Sequence, residues 1–72
     1  MENRVRVRRA ELRVTQFEIS RRAKINETKL SRIETGLIDP SADEIKALAK
    51  ALNATPAELF PTLAEQHSAG AQ

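Results

Sequence analysis

Between positions 27 and 32 the chain sets out Glu27, Thr28, Lys29, Ser31 and Arg32, with only Leu30 apolar among them. A carboxylate, two hydroxyls, an ammonium and a guanidinium thus fall within two turns of a helix, if this segment is one. On a helix, Leu30 and Ile33 share an inward face at i, i+3, and the five polar side chains look away from it. Such a face is either plain solvated surface or a set of donors and acceptors able to read base edges, since direct readout uses this vocabulary. Catalytic chemistry has no comparable foothold. There are no paired carboxylates, no nucleophile beside a base and no phosphate-cradling glycine loop. The single His67 stands in a polar C-terminal stretch without a second ligand or a catalytic partner. The chain is therefore not expected to be an enzyme, and no metal, cofactor or small-molecule ligand is expected.

The elements that must position those side chains are marked by caps. Thr15-Gln16-Phe17-Glu18 is a capping box, and it opens a helix over 16–23 whose Ile19 and Ala23 face inward. Phe17 falls off that stripe, and satellite packing against a neighbouring helix is expected for it. Lys24-Ile25-Asn26 makes a tight turn with Ile25 buried, and Asn26 caps the helix over 27–34. Gly36 stops that helix as its left-handed terminator. Leu37 and Ile38 follow; they either fold under onto the core or lie at a contact surface.

On the N-terminal side, residues 4–13 read as a first helix, with Val5, Arg9 and Leu12 at i, i+4, i+7 on its inner face. The alternation of Val5 and Val7 also suits a short strand, but Ala10-Glu11-Leu12-Arg13 favours helix. Arg9 on the inner stripe needs a partner, because an unpaired buried charge is costly. Val14 is placed to pack between the first helix and the next. On the C-terminal side, Ser41-Ala42-Asp43-Glu44 is a second capping box. Ile45, Leu48, Ala49 and Leu52 continue it as an amphipathic helix, which Asn53 ends. Thr55-Pro56-Ala57-Glu58 reads as a third box with proline at the first helical position. Leu59-Phe60 close the core before Pro61. The expected architecture is an all-α, compact five-helix bundle over residues 1–61, with a helix-turn-helix at about 15–34 and a flexible tail over 62–72.

A 72-residue chain makes one domain, and at this size only ~60% of the unfolded surface is buried. Cysteine is absent, which excludes a disulfide scaffold and a cysteine metal site and suits a reducing, cytoplasmic setting. The N-terminus lacks the apolar core of a signal peptide, and no apolar run approaches the ~18 residues of a membrane span. The net charge of +2 conceals a division. Residues 1–32 carry ten basic and four acidic side chains, a net +6, whereas residues 33–72 carry two and six, a net −4. A basic half beside an acidic half suggests one face for a polyanion, although solvated helix surface carries such charges too.

In order, Arg9, Thr15-Gln16, Ile19-Ser20, Ile33-Glu34-Thr35-Gly36, Pro40-Ser41, Ile45, Leu48-Ala49-Lys50-Ala51-Leu52 and Glu58-Leu59-Phe60 resemble the Cro/cI-type helix-turn-helix family of bacterial and phage repressors, also called the xenobiotic-response-element family. The resemblance spans about residues 4–60 without a gap. It implies that Glu27, Thr28, Lys29 and Arg32 face the major groove, with Ser31 at the edge. It implies phosphate contacts from Gln16, where the helix amides also favour an anion, from Asn26 and from the backbone near Thr35 and Gly36. It also implies a mostly buried ion pair between Arg9 and Glu34. Departures from the family pattern are Lys24 at the turn glycine, at ~1 kcal/mol for a left-handed residue with a side chain, and Ser20 at a small alanine. Arg8 and Arg13 stand where many relatives have leucine and glycine. Arg8 then belongs at the surface, where it adds a phosphate contact.

The resemblance implies a sequence-specific, double-stranded DNA-binding transcriptional regulator, bacterial nucleoid-associated or phage-encoded. A repressor is favoured, bound as a homodimer to a palindromic operator whose half-sites lie about one helical turn apart. The expected interface lies around the fifth helix and the loop after the fourth, with Leu37, Ile38 and Leu63 as candidates. The competing reading is a helical protein-interaction module, antitoxin-like or adaptor-like, that keeps the fold without reading DNA. Within the reading face, Glu27 serves equally to complement the positive end of its helix. Lys29 suits a phosphate or a guanine edge, Thr28 can offer its methyl to thymine, and Arg32 is the strongest candidate for base readout.

Overall fold

A computed structural model describes residues 1–62. Of the tail expected over 62–72, residues 63–72, with Leu63 and His67, lie outside the described residues. Among the described residues, five helices follow one another: α1 (Val5–Leu12), α2 (Gln16–Ala23), α3 (Glu27–Glu34), α4 (Ala42–Ala51) and α5 (Pro56–Leu59). There is no strand among the described residues. α2 packs on both α3 and α4, and α5 closes against α4. The core between them is Val5, Ile19, Ala23, Ile25, Leu30, Ile33, Leu48, Ala49, Leu52, Leu59 and Phe60, all buried. Each of the larger side chains among them contributes about 1.5–3 kcal/mol when it leaves water.

The first turns are capped largely as the sequence dictates. Thr15 Oγ1 accepts from Glu18 N–H while Glu18 returns a carboxylate oxygen to Thr15 N–H. Ser41 and Glu44 do the same for α4, and Asn26 Oδ1 accepts from Thr28 and Lys29 N–H. The third box is only half formed. Thr55 Oγ1 accepts from Glu58 N–H, but the reciprocal bond is absent, in a helix of four residues.

The last turns share one device. α1, α2, α3 and α4 are each followed by a left-handed residue: Arg13 (φ 56°), Lys24 (φ 58°), Gly36 (φ 81°) and Asn53 (φ 52°). The next residue each time returns its N–H to the carbonyl five positions back: Val14 to Arg9, Ile25 to Ser20, Leu37 to Arg32 and Ala54 to Ala49. This is the Schellman closure, in which the returning residue is usually apolar and packs inward. Val14, Ile25 and Ala54 do so, whereas Leu37 remains 75% exposed. Ile38, its neighbour, packs against the core, so the two apolar residues of that loop divide between the two roles.

α1 departs from its expected stripe. Val5 is buried, but Leu12 is exposed. The left-handed Arg13 redirects the chain, and Val14, not Leu12, packs against the core. Ser20 is buried in place of a smaller residue, and its hydroxyl donates to the Phe17 carbonyl at 2.7 Å. Phe17 itself is 52% exposed, with the Arg21 guanidinium over its ring at 5.6 Å. Its exposed half is covered in part by a cation of its own helix.

Arg9 meets Glu34 in a two-pronged pair. Nε donates to Oε2 at 3.1 Å and Nη2 to Oε1 at 3.2 Å, while Nη1 donates to the Val14 carbonyl at 3.3 Å. The Glu34 side chain is 4% exposed and that of Arg9 20%. Removing one partner of a buried pair costs ~3–5 kcal/mol because the other charge is stranded. Arg9→Ala should reach that range. Glu34→Ala should cost less, since Arg9 is the more exposed partner and keeps Val14. Arg9→Met with Glu34→Leu should restore most of the loss. Urea midpoints, with circular dichroism to confirm folding, make the comparison; a Glu34→Ala variant as stable as the parent contradicts it.

Candidate nucleic-acid interface

α3 is carried on Leu30 and Ile33, both fully buried. This fixes which of its side chains remain outside: Glu27, Thr28, Lys29, Ser31 and Arg32 are all exposed. The helix is held at both ends. Asn26 caps its start. At its end Glu34 is tied to α1, and Asn3 Nδ2 donates to the Ile33 carbonyl at 2.8 Å while Asn3 Oδ1 accepts from Val5 N–H. Asn3 therefore joins the start of α1 to the end of α3. Its place two residues ahead of a helix is the only sequence signal for this, and it points to α1 alone. The chain terminus lies over the same loop, with Met1 N 2.7 Å from Asp39 and donating to the Gly36 carbonyl.

The expected contact residues divide once their partners are counted. Gln16 is half-buried at the first position of α2, and its side chain makes no hydrogen bond among the described residues. Asn26 uses its carbonyl oxygen for the cap, leaving its amide N–H pair to donate. Thr28, Ser31 and Arg32 have no side-chain partner among the described residues. Glu27 lies in the first turn of α3, where its charge complements the helix dipole whatever else it does.

Three residues are committed elsewhere. Arg8 is not a free surface cation. Its Nε donates to the Leu52 carbonyl and Nη2 to the Asn53 carbonyl, both at 3.0 Å, and Nη1 lies 3.5 Å from Glu11. The carbonyls at the end of α4 lack intrahelical donors, and Arg8 supplies them from α1. Thr35 is likewise occupied. Its N–H goes to the Ser31 carbonyl and that of Gly36 to Ile33, and the Thr35 hydroxyl donates to Ser31 and Arg32 carbonyls. The donors of Thr35 and of the Gly36 backbone are thus engaged within the chain. Lys29 reaches across to α4, where its Nζ sits 2.6 Å from Glu44 Oε2. In this conformation it is an intramolecular partner. The Ser41–Glu44 box is visible in the sequence, but a contact between helices fifteen positions apart carries no local signal.

A separate open groove of about 330 Å³ runs between α1 and α5, lined by Arg4, Arg8, Glu11, Ala57, Glu58 and Leu59 among others. No residue of α2 or α3 lines it. No helix of the described residues is long and apolar enough to cross a membrane.

Helices α2 and α3, joined by the Lys24–Asn26 turn and with the outer side of α3 open, form a helix-turn-helix. The model of the helix-turn-helix domain family matches residues 3–60. The chain belongs to that family and is a helix-turn-helix DNA-binding protein. No curated protein matches the chain.

The Lys29 ammonium, followed by the Ser41 N–H, holds the Glu44 carboxyl below the usual carboxylate range. A carboxyl lowered on folding stabilises the fold above its unfolded value, here 4.5, and that contribution disappears as pH falls through the lower folded value. Glu44→Gln should therefore be less stable than the parent at pH 7, and the gap should close below pH 4.5. Thermal melts of both from pH 7 to pH 3 measure this; a gap that widens on acidification contradicts it.

Proposed function

We propose that the protein is a sequence-specific regulator of transcription that inserts α3 into the major groove of double-stranded DNA and acts as a repressor. The observation that carries this reading is the exposed row of Thr28, Ser31 and Arg32, left unpartnered on a helix pinned at both ends. Fixed placement matters for base reading, because a hydrogen bond to a base edge tolerates little error in position. In this reading Arg32 reads a guanine edge, and Thr28 and Ser31 contact neighbouring bases. Glu27 either accepts from cytosine or only complements its helix. Gln16 and the Asn26 amide hold flanking phosphates, aided by the free amides at the start of α2.

A single copy offers few reading side chains, so the regulator acts as a homodimer on a palindrome with half-sites about one helical turn apart. Leu37 supports a protein contact beside α3, since it is the one Schellman residue that does not pack on its own core. The same exposed leucine favours the competing reading, an interaction module without DNA specificity. Salt separates the two, because an interface with several phosphates loses affinity steeply as salt rises.

Selection of bound duplexes from a random pool tests the proposal directly. An inverted repeat is expected, and a pool that stays random overturns it. With the selected site in hand, Arg32→Ala should cost ~1–3 kcal/mol and relax preference at one position per half-site. Gln16→Ala should weaken all duplexes alike. A uniform loss for Arg32→Ala would reassign it to the backbone.

A further inference from the structure

Lys29 is the third residue of α3, in the first turn, where the helix dipole disfavours a cation. Across from it, Glu44 is held in place by its own helix. Oε1 accepts from Ser41 N–H at 2.8 Å, Glu44 N–H donates to Ser41 Oγ, and Oε2 receives Lys29 Nζ. The Glu44 side chain is 19% exposed against 45% for Lys29. The carboxylate is thus the fixed member of the pair, and the lysine is the member that comes to it. Counted with Glu44, the charges at the outer side of α3 balance, with Glu27 and Glu44 against Lys29 and Arg32.

We infer that Glu44 is a specificity-determining residue: it occupies Lys29 in place of a DNA phosphate, and so keeps α3 from adhering to duplexes of arbitrary sequence. The inference rests on the DNA-reading role proposed above. Phosphate attraction is the part of binding that carries no sequence information. A lysine at this position, on its flexible stem, would supply that attraction to any duplex. With its ammonium engaged by Glu44, discrimination falls to the hydrogen-bonding groups of Thr28, Ser31 and Arg32. Glu44 does not touch DNA in this arrangement; it acts through Lys29 as a positioning residue.

The test compares the parent with Glu44→Gln, Lys29→Met, the double variant and Asp43→Asn, using fluorescence anisotropy on a duplex of random sequence across a potassium chloride series. Glu44→Gln preserves the cap of α4, because the amide oxygen it introduces can still accept from Ser41 N–H; melts of each variant confirm folding. Glu44→Gln should bind random duplex more tightly and steepen the slope of log K against log salt by about 0.9, one additional phosphate contact. Lys29→Met should leave the parental slope unchanged, and in the Glu44→Gln background it should return the slope to the parental value. Asp43→Asn makes the same change of charge one residue away, at an exposed acid with no ion pair among the described residues, and should not alter the slope. An unchanged slope in Glu44→Gln overturns the inference. So does a steeper slope that persists in the double variant or appears in Asp43→Asn, since either reports net charge alone. A parent that binds no duplex at low salt instead removes the DNA-reading role itself.

Discussion

The arrangement of the domain turns on the ion pair between Arg9 and Glu34. Apolar burial drives α3 onto the core, but it is non-directional, and Leu30 and Ile33 alone would tolerate a helix that slides or rolls. Two parallel N–H···O bonds do not. They fix the end of α3 to the middle of α1, and the third guanidinium nitrogen reaches the Val14 carbonyl in the link to α2. One arginine therefore sets the relation of three consecutive elements. Desolvating two charges is expensive, and a hydrophobic replacement is often as stable. What the charged pair supplies that an apolar contact cannot is a single angle of presentation for the face of α3.

The rest of the fold is secured mostly by local means. Each helix of eight residues or more ends by the same closure, with one left-handed residue and one amide returned five positions back. Only Gly36 makes that turn without a side-chain penalty; Arg13 and Lys24 accept ~1 kcal/mol or more each. A domain this small has little stability in reserve, so these strained ends need offsetting contacts. Val14 and Ile25, the residues that follow them, provide burial at the same points.

This local character explains how much is legible in the sequence. Helix boundaries, the caps at Thr15, Asn26 and Ser41, and most of the core follow from residues within four positions of one another. The Arg9–Glu34 pair is legible only through family resemblance, since nothing local links positions 9 and 34. The departures from expectation have two causes. Periodicity places Leu12 in the core, but it ignores the turn at Arg13 that swings Val14 into the interior. The family resemblance points Thr35 and Lys29 toward DNA, and a surface position with a free charge points Arg8 there. In each case a carbonyl or carboxylate of the same chain satisfies the donor, and for Arg8 and Lys29 it belongs to another helix or its end. Periodicity ranks faces; it does not count hydrogen-bond partners across helices.

Those commitments bear on how the proposed regulator discriminates. With Arg8 and Thr35 engaged in capping and Lys29 in an ion pair, the unpartnered donors on the outer face of α3 reduce, among the described residues, to Thr28, Ser31 and Arg32. A bidentate base contact discriminates by ~1–3 kcal/mol, and of the three only Arg32 can make one. Specific over non-specific binding commonly spans ~4–10 kcal/mol. A second copy doubles the readout and moves the sum toward that window, without any further change to the domain. The exposed Leu37 lies just past the end of α3, at the only Schellman turn among the described residues whose apolar residue is left uncovered. A partner placed there would bury it and align a second α3 on the same face of the duplex. The scarcity of free donors on α3 is therefore itself an argument for pairing.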